Sequence, residues 1–258
     1  MYLTWLDSNS WLIEMGGQQI LLDPWLVGNL VFGNMPWLFQ GVRSQSRPIP
    51  VKIDLILLSQ GLEDHAHPET LKQLDRTIPV VASPNAVKVV QELGYTQITS
   101  LSHGDSYTLA DNVTIQAFPG SPIGPFLTEN AYLLREHSSG QTLYYEPHGY
   151  HAESLRAIAP VDVIITPMVS LEIPVLGPII QGHKTAFQIA QWLQPQVMLP
   201  TAAGGDVSFT GLINSVLQGS GSSAELRTQL AENGLTTQVI EPTPGDRLKI
   251  SLQNRVSV

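Results

Sequence analysis

The chain contains no cysteine and few charged residues. The absence of cysteine excludes disulfides and thiolate metal sites, so any metal ion would need His, Asp or Glu ligands. Charged residues make up 14 % of the sequence, and 22 acidic residues outnumber 13 Lys and Arg. The sequence therefore lacks the basic stripe that attracts phosphate backbones, and we expect no nucleic acid as a partner.

Long apolar runs are also missing. No stretch approaches the roughly 18 apolar residues of a membrane-spanning helix, and the N-terminus lacks the pattern of a signal peptide. We therefore expect a soluble, cytoplasmic protein. The 258 residues are 43 % hydrophobic, which is enough for one large core, and we predict a single domain over residues 1–258. The sequence leaves the oligomeric state open.

The order of the predicted elements is typical of an α/β protein. Short apolar runs read as buried strands, and amphipathic segments begin at capping residues such as Ser83, which with Pro84 predicts a helix up to Gly94. Three prolines and two glycines in residues 118–125 predict a loop. Strands and helices recur in two similar halves, which indicates two sheets with helices outside both.

One polar turn carries the side chains best suited to chemistry. Residues 55–74, LILLSQGLEDHAHPETLKQL, combine a buried strand, a turn with Asp64, His65 and His67, and an amphipathic helix from about Pro68. In α/β proteins such a turn often holds a functional site, because the strand and helix fix it while its side chains point into a crevice.

Two apolar loops could line a binding site or contact a partner. Residues 25–39 are rich in large apolar side chains, but Gly28, Gly33 and Pro36 prevent one regular helix. Residues 168–181 are likewise rich in large apolar side chains. These loops either fold onto the core or form an apolar lip over a pocket for a small-molecule or amphipathic ligand. The alternative is a peripheral membrane or protein contact through loops 25–39 and 168–181.

The central turn, SQGLEDHAHPETLKQL, resembles the metal-binding turn of the metallo-β-lactamase superfamily, where a strand ends in Thr/Ser-His-x-His-x-Asp-His. TWLDSNSWLIEMGGQQILLDPWL and NAYLLREHSSGQTLYYEPHGYH are similar to the branch of N-acyl-phosphatidylethanolamine phospholipase D and ascorbate-6-phosphate lactonase. The resemblance covers residues 1–205. It implies a four-layer αββα sandwich with the site at the sheet edges, and hydrolysis of an ester, phosphoester or lactone.

Most of the metal ligands that the resemblance implies are replaced in this sequence. Asp64 and His65 match the motif, whereas Gln60 and Leu62 stand at its first two histidines. The later ligand positions fall near Ser121–Pro122, on Pro147 and near Ala202. Because a first-row metal ion needs about three or four protein donors, a dinuclear zinc centre is not expected. We allow at most one divalent metal, Zn, Mn or Fe.

The candidate site joins the central turn to the loop after residues 142–146. We predict that Asp64, His65 and His148 act in catalysis and hold the metal ion. A water bound to this ion would then be the nucleophile. His183 begins a predicted helix, whose N-terminus favours anions. The residues predicted to bind substrate are Gln60, His67, Glu146 and His183.

Other interpretations of these residues stay open. Asp64 and His65 could be a hydrogen-bonded pair that fixes the turn and caps the next helix, or they could perform acid/base chemistry without a metal. Asp23 is interpreted as a structural residue of an Asp-Pro turn. The competing function is a non-catalytic binding or assembly module that lost its metal centre and binds an apolar ligand, a membrane face or a protein.

Overall fold

Two seven-stranded sheets form the centre of the molecule in a computed structural model that describes residues 1–124, 126–174 and 177–253. Strands and helices are numbered along the chain. The strand order of the first sheet is β20 (Arg247–Lys249), β1 (Tyr2–Trp5), β2 (Trp11–Met15), β3 (Gln18–Leu22), β6 (Leu55–Leu58), β7 (Val80–Ala82) and β8 (Ile98–Ser100). The order of the second is β19 (Gln238–Val239), β16 (Val197–Pro200), β13 (Val163–Thr166), β12 (Thr142–Tyr145), β11 (Leu127–Glu136), β10 (Val113–Ile123) and β9 (Ser106–Leu109).

Parallel pairing inside each sheet sets the place where polar residues meet. In the first sheet, β3 runs parallel to β6, and Leu22 lies opposite Leu57. In the second sheet, β12, β13 and β16 are parallel, and β12 ends at Tyr145. Parallel strands end at one edge of a sheet, where α/β proteins place ligands. The residues that follow β3, β6 and β12 therefore reach the same region.

Alternating side chains of β6 fill two different layers of the core. Leu55 and Leu57 belong to the cluster between the two sheets, whereas Ile56 and Leu58 pack in the cluster beneath the helices. This alternation follows from the pleat of a strand. Each fully buried leucine or isoleucine contributes about 1.5–3 kcal/mol. The helices on this face are α1 (Pro68–Gln73) and α2 (Pro84–Glu92).

Helices also cover the outer face of the second sheet. Residues of α3 (Gly182–Leu193) and α5 (Ser223–Glu232) pack against Ile164 and Met198. The layers therefore run helix, sheet, sheet, helix, and the predicted four-layer αββα sandwich is confirmed. The helix predicted at Ser83 is also present, since Pro84 is its first residue and Ser83 its N-cap.

Two three-stranded sheets lie outside this sandwich. One has the order β17 (Val207–Thr210), β5 (Gln40–Arg43) and β4 (Leu30–Val31), and the other has the order β15 (Gly177–Gln181), β14 (Ser170–Ile173) and β18 (Gln218–Ser220). Short helical segments lie at Phe32–Asn34, Glu153–Ile158 and, as α4, at Leu212–Val216. The predicted loop 168–181 therefore contains a hairpin, and its Val175 and Leu176 lie outside the described residues.

The loop predicted for residues 118–125 is wrong over most of its length. Strand β10 continues to Ile123, with an irregular register between Pro119 and Pro122. Proline is tolerated at such irregularities because no ladder hydrogen bond is required of it there. Pro125 lies outside the described residues.

No helix in the described residues is both long and apolar enough to cross a membrane.

Candidate functional site

A buried carboxylate from a neighbouring strand fixes the turn after β6. Asp23 follows β3 and accepts hydrogen bonds from the Ser59 N–H at 2.7 Å and from the hydroxyls of Ser59 at 2.5 Å and Tyr145 at 2.7 Å. Its Oδ2 also lies 2.7 Å from His65 Nδ1. An ionised carboxylate only accepts, so Nδ1 of His65 carries the hydrogen. The interpretation of Asp23 as a plain turn residue is therefore incomplete.

His65 Nε2 faces a second carboxylate. It lies 3.1 Å from Asp64 Oδ2 and 3.3 Å from Asn9 Nδ2. Burial acts to lower the pKa of His65, but the charges of Asp64 and Asp23 outweigh it and raise this pKa well above its ordinary value of 6.5. Burial acts to raise the pKa of Asp64, yet His65 lowers it below 3.8. Without a metal ion, the two residues therefore form an ion pair.

His148 approaches this pair from the second sheet. The ring centroids of His148 and His65 are 5.2 Å apart. His148 Nδ1 lies 2.8 Å from Oε1 of Glu129, a fully buried residue of β11. Each histidine thus has a carboxylate at Nδ1 and keeps Nε2 as its remaining ligand nitrogen. Carboxylate partners of this kind orient metal-binding histidines and fix their tautomer.

Glu146 supports the loop that carries His148. Its Oε2 accepts backbone hydrogen bonds from His148 N at 3.2 Å, from Tyr150 N at 2.9 Å and from Gly149 N. Burial first, and then the adjacent Glu129 carboxylate, raise the pKa of Glu146 well above its ordinary value of 4.5. Glu146 lines neither of the cavities that His148 lines, and the substrate contact predicted for it stays a prediction.

We expect Glu146→Gln to change how stability depends on pH. A carboxyl whose pKa is raised by folding stabilises the fold fully below its unfolded pKa, and that contribution disappears as pH rises through the folded pKa. Glutamine keeps an acceptor and a donor at this position at every pH. Denaturant unfolding of metal-free protein between pH 4.5 and pH 9 should show the wild type losing stability relative to the variant, by about 1.4 kcal/mol per unit of raised pKa. If the free energy of unfolding depended on pH in the same way in the wild type and in Glu146→Gln, the raised pKa of Glu146 would be contradicted.

Asp64, His65 and His148 fit a single metal ion. They can offer three ligand atoms that lie within 4.8 Å of one another. Asp64 Oδ1 is buried and has no hydrogen-bond partner among the described residues. This is expected of an oxygen atom that serves as a metal ligand. One carboxylate and two imidazoles form a donor set that zinc and iron accept. A second group of Glu129, Glu146 and His148 is equally close.

An apolar pocket of about 620 Å³ opens beside this group. Its polar end holds Ser8, Asn9, Asp64 and His148. Its wall comes from three segments of the chain, with Leu30, Phe32 and Phe39 from the first, Val169, Leu171, Ile179 and Ile180 from the second, and Phe209, Ile213 and Leu217 from the third. Both apolar loops found in the sequence thus contribute to one pocket, and residues 209–217 were not predicted to join them.

Both histidines predicted to bind substrate, His67 and His183, lie outside the two cavities that His148 lines. His67 caps α1, since its Nδ1 accepts the Thr70 N–H, and its Nε2 lies 3.2 Å from the Asn29 carbonyl oxygen. Both ring nitrogens are therefore used inside the fold. His183 Nε2 lies 3.8 Å from Glu225 Oε2, and His183 lines neither cavity that His148 lines. Gln60, by contrast, lies beside His148 in the second of those cavities.

Sequence reasoning missed Asn9, Glu129 and Tyr145. Asn9 belongs to a turn whose polar residues gave no distinct motif. Glu129 is a charged residue within a strand, followed by Asn130 and then by an apolar run. An acidic side chain at the start of a buried strand was the available signal, since such a group needs a partner inside the fold.

Comparison with known proteins agrees with this architecture. A family model described as the beta-lactamase superfamily domain matches residues 2–202. A Bacillus licheniformis protein named as a metal-dependent hydrolase is 22 % identical over 206 residues, which cover 73 % of this chain and 78 % of that protein.

Solved structures share the fold at low sequence identity. The isothiocyanate hydrolase from Delia radicum gut bacteria superposes with a TM-score of 0.71 at 17 % identity, over 98 % of this chain and 100 % of that one. A metallo hydrolase from the archaeon Ignicoccus hospitalis superposes with a TM-score of 0.67 at 15 % identity, over 98 % and 99 % of the two chains. These similarities concern the fold alone.

Proposed function

The chain belongs to the beta-lactamase superfamily, and from this premise we propose that it is a metal-dependent hydrolase of an amphipathic ester, phosphoester or lactone. The observation that carries the proposal is the meeting of Asp64, His65 and His148 beside the apolar pocket, which Asp64 and His148 line. The Bacillus relative bears the name of a metal-dependent hydrolase, which supports the same class of reaction.

The proposed metal ligands are Asp64, His65 and His148, with one ion per chain. The resemblance implies histidines where Gln60 and Leu62 stand, which supports a mononuclear site. When bound, a divalent metal lowers the pKa of a coordinated water and polarises the bond under attack. Asp23 and Glu129 keep the hydrogen of each imidazole on Nδ1 and hold the rings in place.

The substrate class follows from the pocket wall and from the resemblance to the phospholipase and lactonase branch. An apolar wall with a few polar groups at one end suits a ligand with an apolar chain and one polar, reactive group. Asn9 Nδ2 lies at that end, 3.3 Å from His65 Nε2, where it can donate to an oxygen of the substrate.

Metal content is the first test of this proposal. Plasma mass spectrometry on untagged protein should find about one metal ion per chain in the wild type, because three protein donors complete a catalytic site. His65→Ala and His148→Ala should lose the ion. His183→Ala is the matched control and should keep it, since His183 lies apart from the site. Retained metal justifies a screen of medium-chain esters and lactones.

The non-catalytic alternative predicts a different result. A protein that carries no metal after incubation with zinc, manganese and iron salts would contradict the metallohydrolase. The apolar pocket would then point to a binding module for an apolar ligand. A membrane or protein contact through residues 25–39 and 168–181 would be the remaining proposal for those segments.

A further inference from the structure

A second cavity, of about 430 Å³, also borders His148. It shares His148 and Ile179 with the apolar pocket. Its remaining wall includes Gln60, Glu129 and Tyr150. A substrate whose reactive bond lies at His148 can therefore extend into two compartments of different chemistry.

The side-chain hydroxyls of this second cavity already donate hydrogen bonds within the protein. The Tyr150 hydroxyl donates to the Pro178 carbonyl oxygen at 3.3 Å, and the Ser121 hydroxyl donates to that of Pro122 at 3.4 Å. His148 Nδ1 is engaged by Glu129. The described lining residues include no lysine or arginine. An anionic group would therefore find no cation and no free side-chain hydroxyl in this cavity.

One buried acceptor, in contrast, remains available. Gln60 is only 2 % exposed, and its Oε1 has no hydrogen-bond partner among the described residues. Glu129 Oε2 is likewise buried without a partner. A proton shared with Glu146 can account for the Glu129 oxygen, but Gln60 has no such neighbour. Unpaired buried acceptors are uncommon in native proteins, and a ligand that donates is a direct explanation.

We propose that the second cavity binds a hydrogen-bond donor group of the substrate, an ammonium group or a hydroxyl group. This inference rests on the proposed hydrolase function and narrows it. The substrate carries an apolar chain in the first pocket and a neutral or cationic polar group beside Gln60 and Glu129. Esters and lactones that also carry a hydroxyl or ammonium group satisfy this requirement. A phosphate group in the second cavity would meet the unpaired Gln60 oxygen and the carboxyl group of Glu129, which penalises its binding.

Ethers that cannot be hydrolysed test the proposal independently of any reaction. The probes are 2-aminoethyl octyl ether, 2-hydroxyethyl octyl ether, octyloxyacetate and 2-(octyloxy)ethyl phosphate, titrated by calorimetry into the wild-type protein. We expect the amine and the alcohol to bind about tenfold or more tightly than the carboxylate and the phosphate, since one hydrogen bond to a buried acceptor is worth roughly that factor.

Two variants separate the compartments. Gln60→Met keeps the length of the side chain but removes its amide and with it the acceptor oxygen, so the preference for the amine and alcohol should fall about tenfold. Ile213→Ala, in the wall of the apolar pocket, should weaken all four probes alike. Tightest binding of the phosphate, or an unchanged preference in Gln60→Met, would overturn the proposal. If no ester is hydrolysed but the preference holds, the hydrolase proposal fails and the cavity assignment stands.

Discussion

Asp23→Asn is expected to lower the free energy of unfolding by about 3–5 kcal/mol, which is the usual cost of removing one partner from a buried charged group. The Asp23 side chain is fully buried, and its carboxylate meets donors from Ser59, His65 and Tyr145. An asparagine amide turns an N–H₂ group toward some of these donors. The imidazole of His65 then loses the partner that fixes its Nδ1 hydrogen.

The same change should weaken metal binding by about 10–100-fold, as expected when the partner of a metal-binding histidine is removed. Denaturant unfolding and competition with a chelator measure the two effects separately. Tyr145→Phe is the matched control, because it removes the 2.7 Å hydrogen bond to Asp23 but leaves the contact between Asp23 and His65. It should cost stability without changing metal affinity. Unchanged metal affinity in Asp23→Asn would contradict the role assigned to Asp23.

Asp7→Asn is expected to destabilise the protein by about 3–5 kcal/mol for a related reason. The Asp7 carboxylate is buried and binds Arg43 at 2.5 Å and Arg47 at 2.7 Å, and both guanidinium groups are buried as well. Asparagine would leave two buried cations without this countercharge. Asp7 also precedes Ser8 and Asn9, which line the apolar pocket, so the variant should disturb ligand binding there.

Asp206→Asn is the control for this variant. Asp206 also binds Arg47, but its side chain is 46 % exposed, and exposed ion pairs contribute about 0–1 kcal/mol. Denaturant unfolding at pH 7 should therefore rank Asp7→Asn far below Asp206→Asn. Equal losses in the two variants would show that burial of Asp7 does not decide its contribution.

At acid pH, the wild type should lose its higher free energy of unfolding relative to Asp7→Asn. Burial acts to raise the pKa of Asp7, but the hydrogen bonds from Arg47 and from Asp206 N, together with the charge of Arg43, lower it below 3.8. A depressed pKa stabilises the fold above the unfolded value, and the contribution is lost as pH falls through the folded value. The difference between wild type and variant should therefore shrink below about pH 3.8.

Local patterns indicated several elements correctly because the signals lay within a few residues. Ser83-Pro84 marked the start of α2, and the apolar run before Ser59 marked β6. Residues 118–125 show the limit of such reasoning. Their prolines and glycines indicate a loop, yet pairing with β11 holds most of the segment in a strand. His67 shows the same limit. It was predicted to bind substrate, but its side chain accepts a hydrogen bond from Thr70 N and caps α1.

By itself the sequence indicated two sheets with helices outside both, and its lack of cysteine restricted any metal ligands to oxygen and imidazole. Only the tertiary structure decided which groups meet. Asp23 is 42 residues from His65, and Glu129 is 19 residues from His148. Local periodicity carries no information on such contacts, because they depend on which strands pair and on how the two sheets pack. The same packing brings three distant apolar segments together around one pocket.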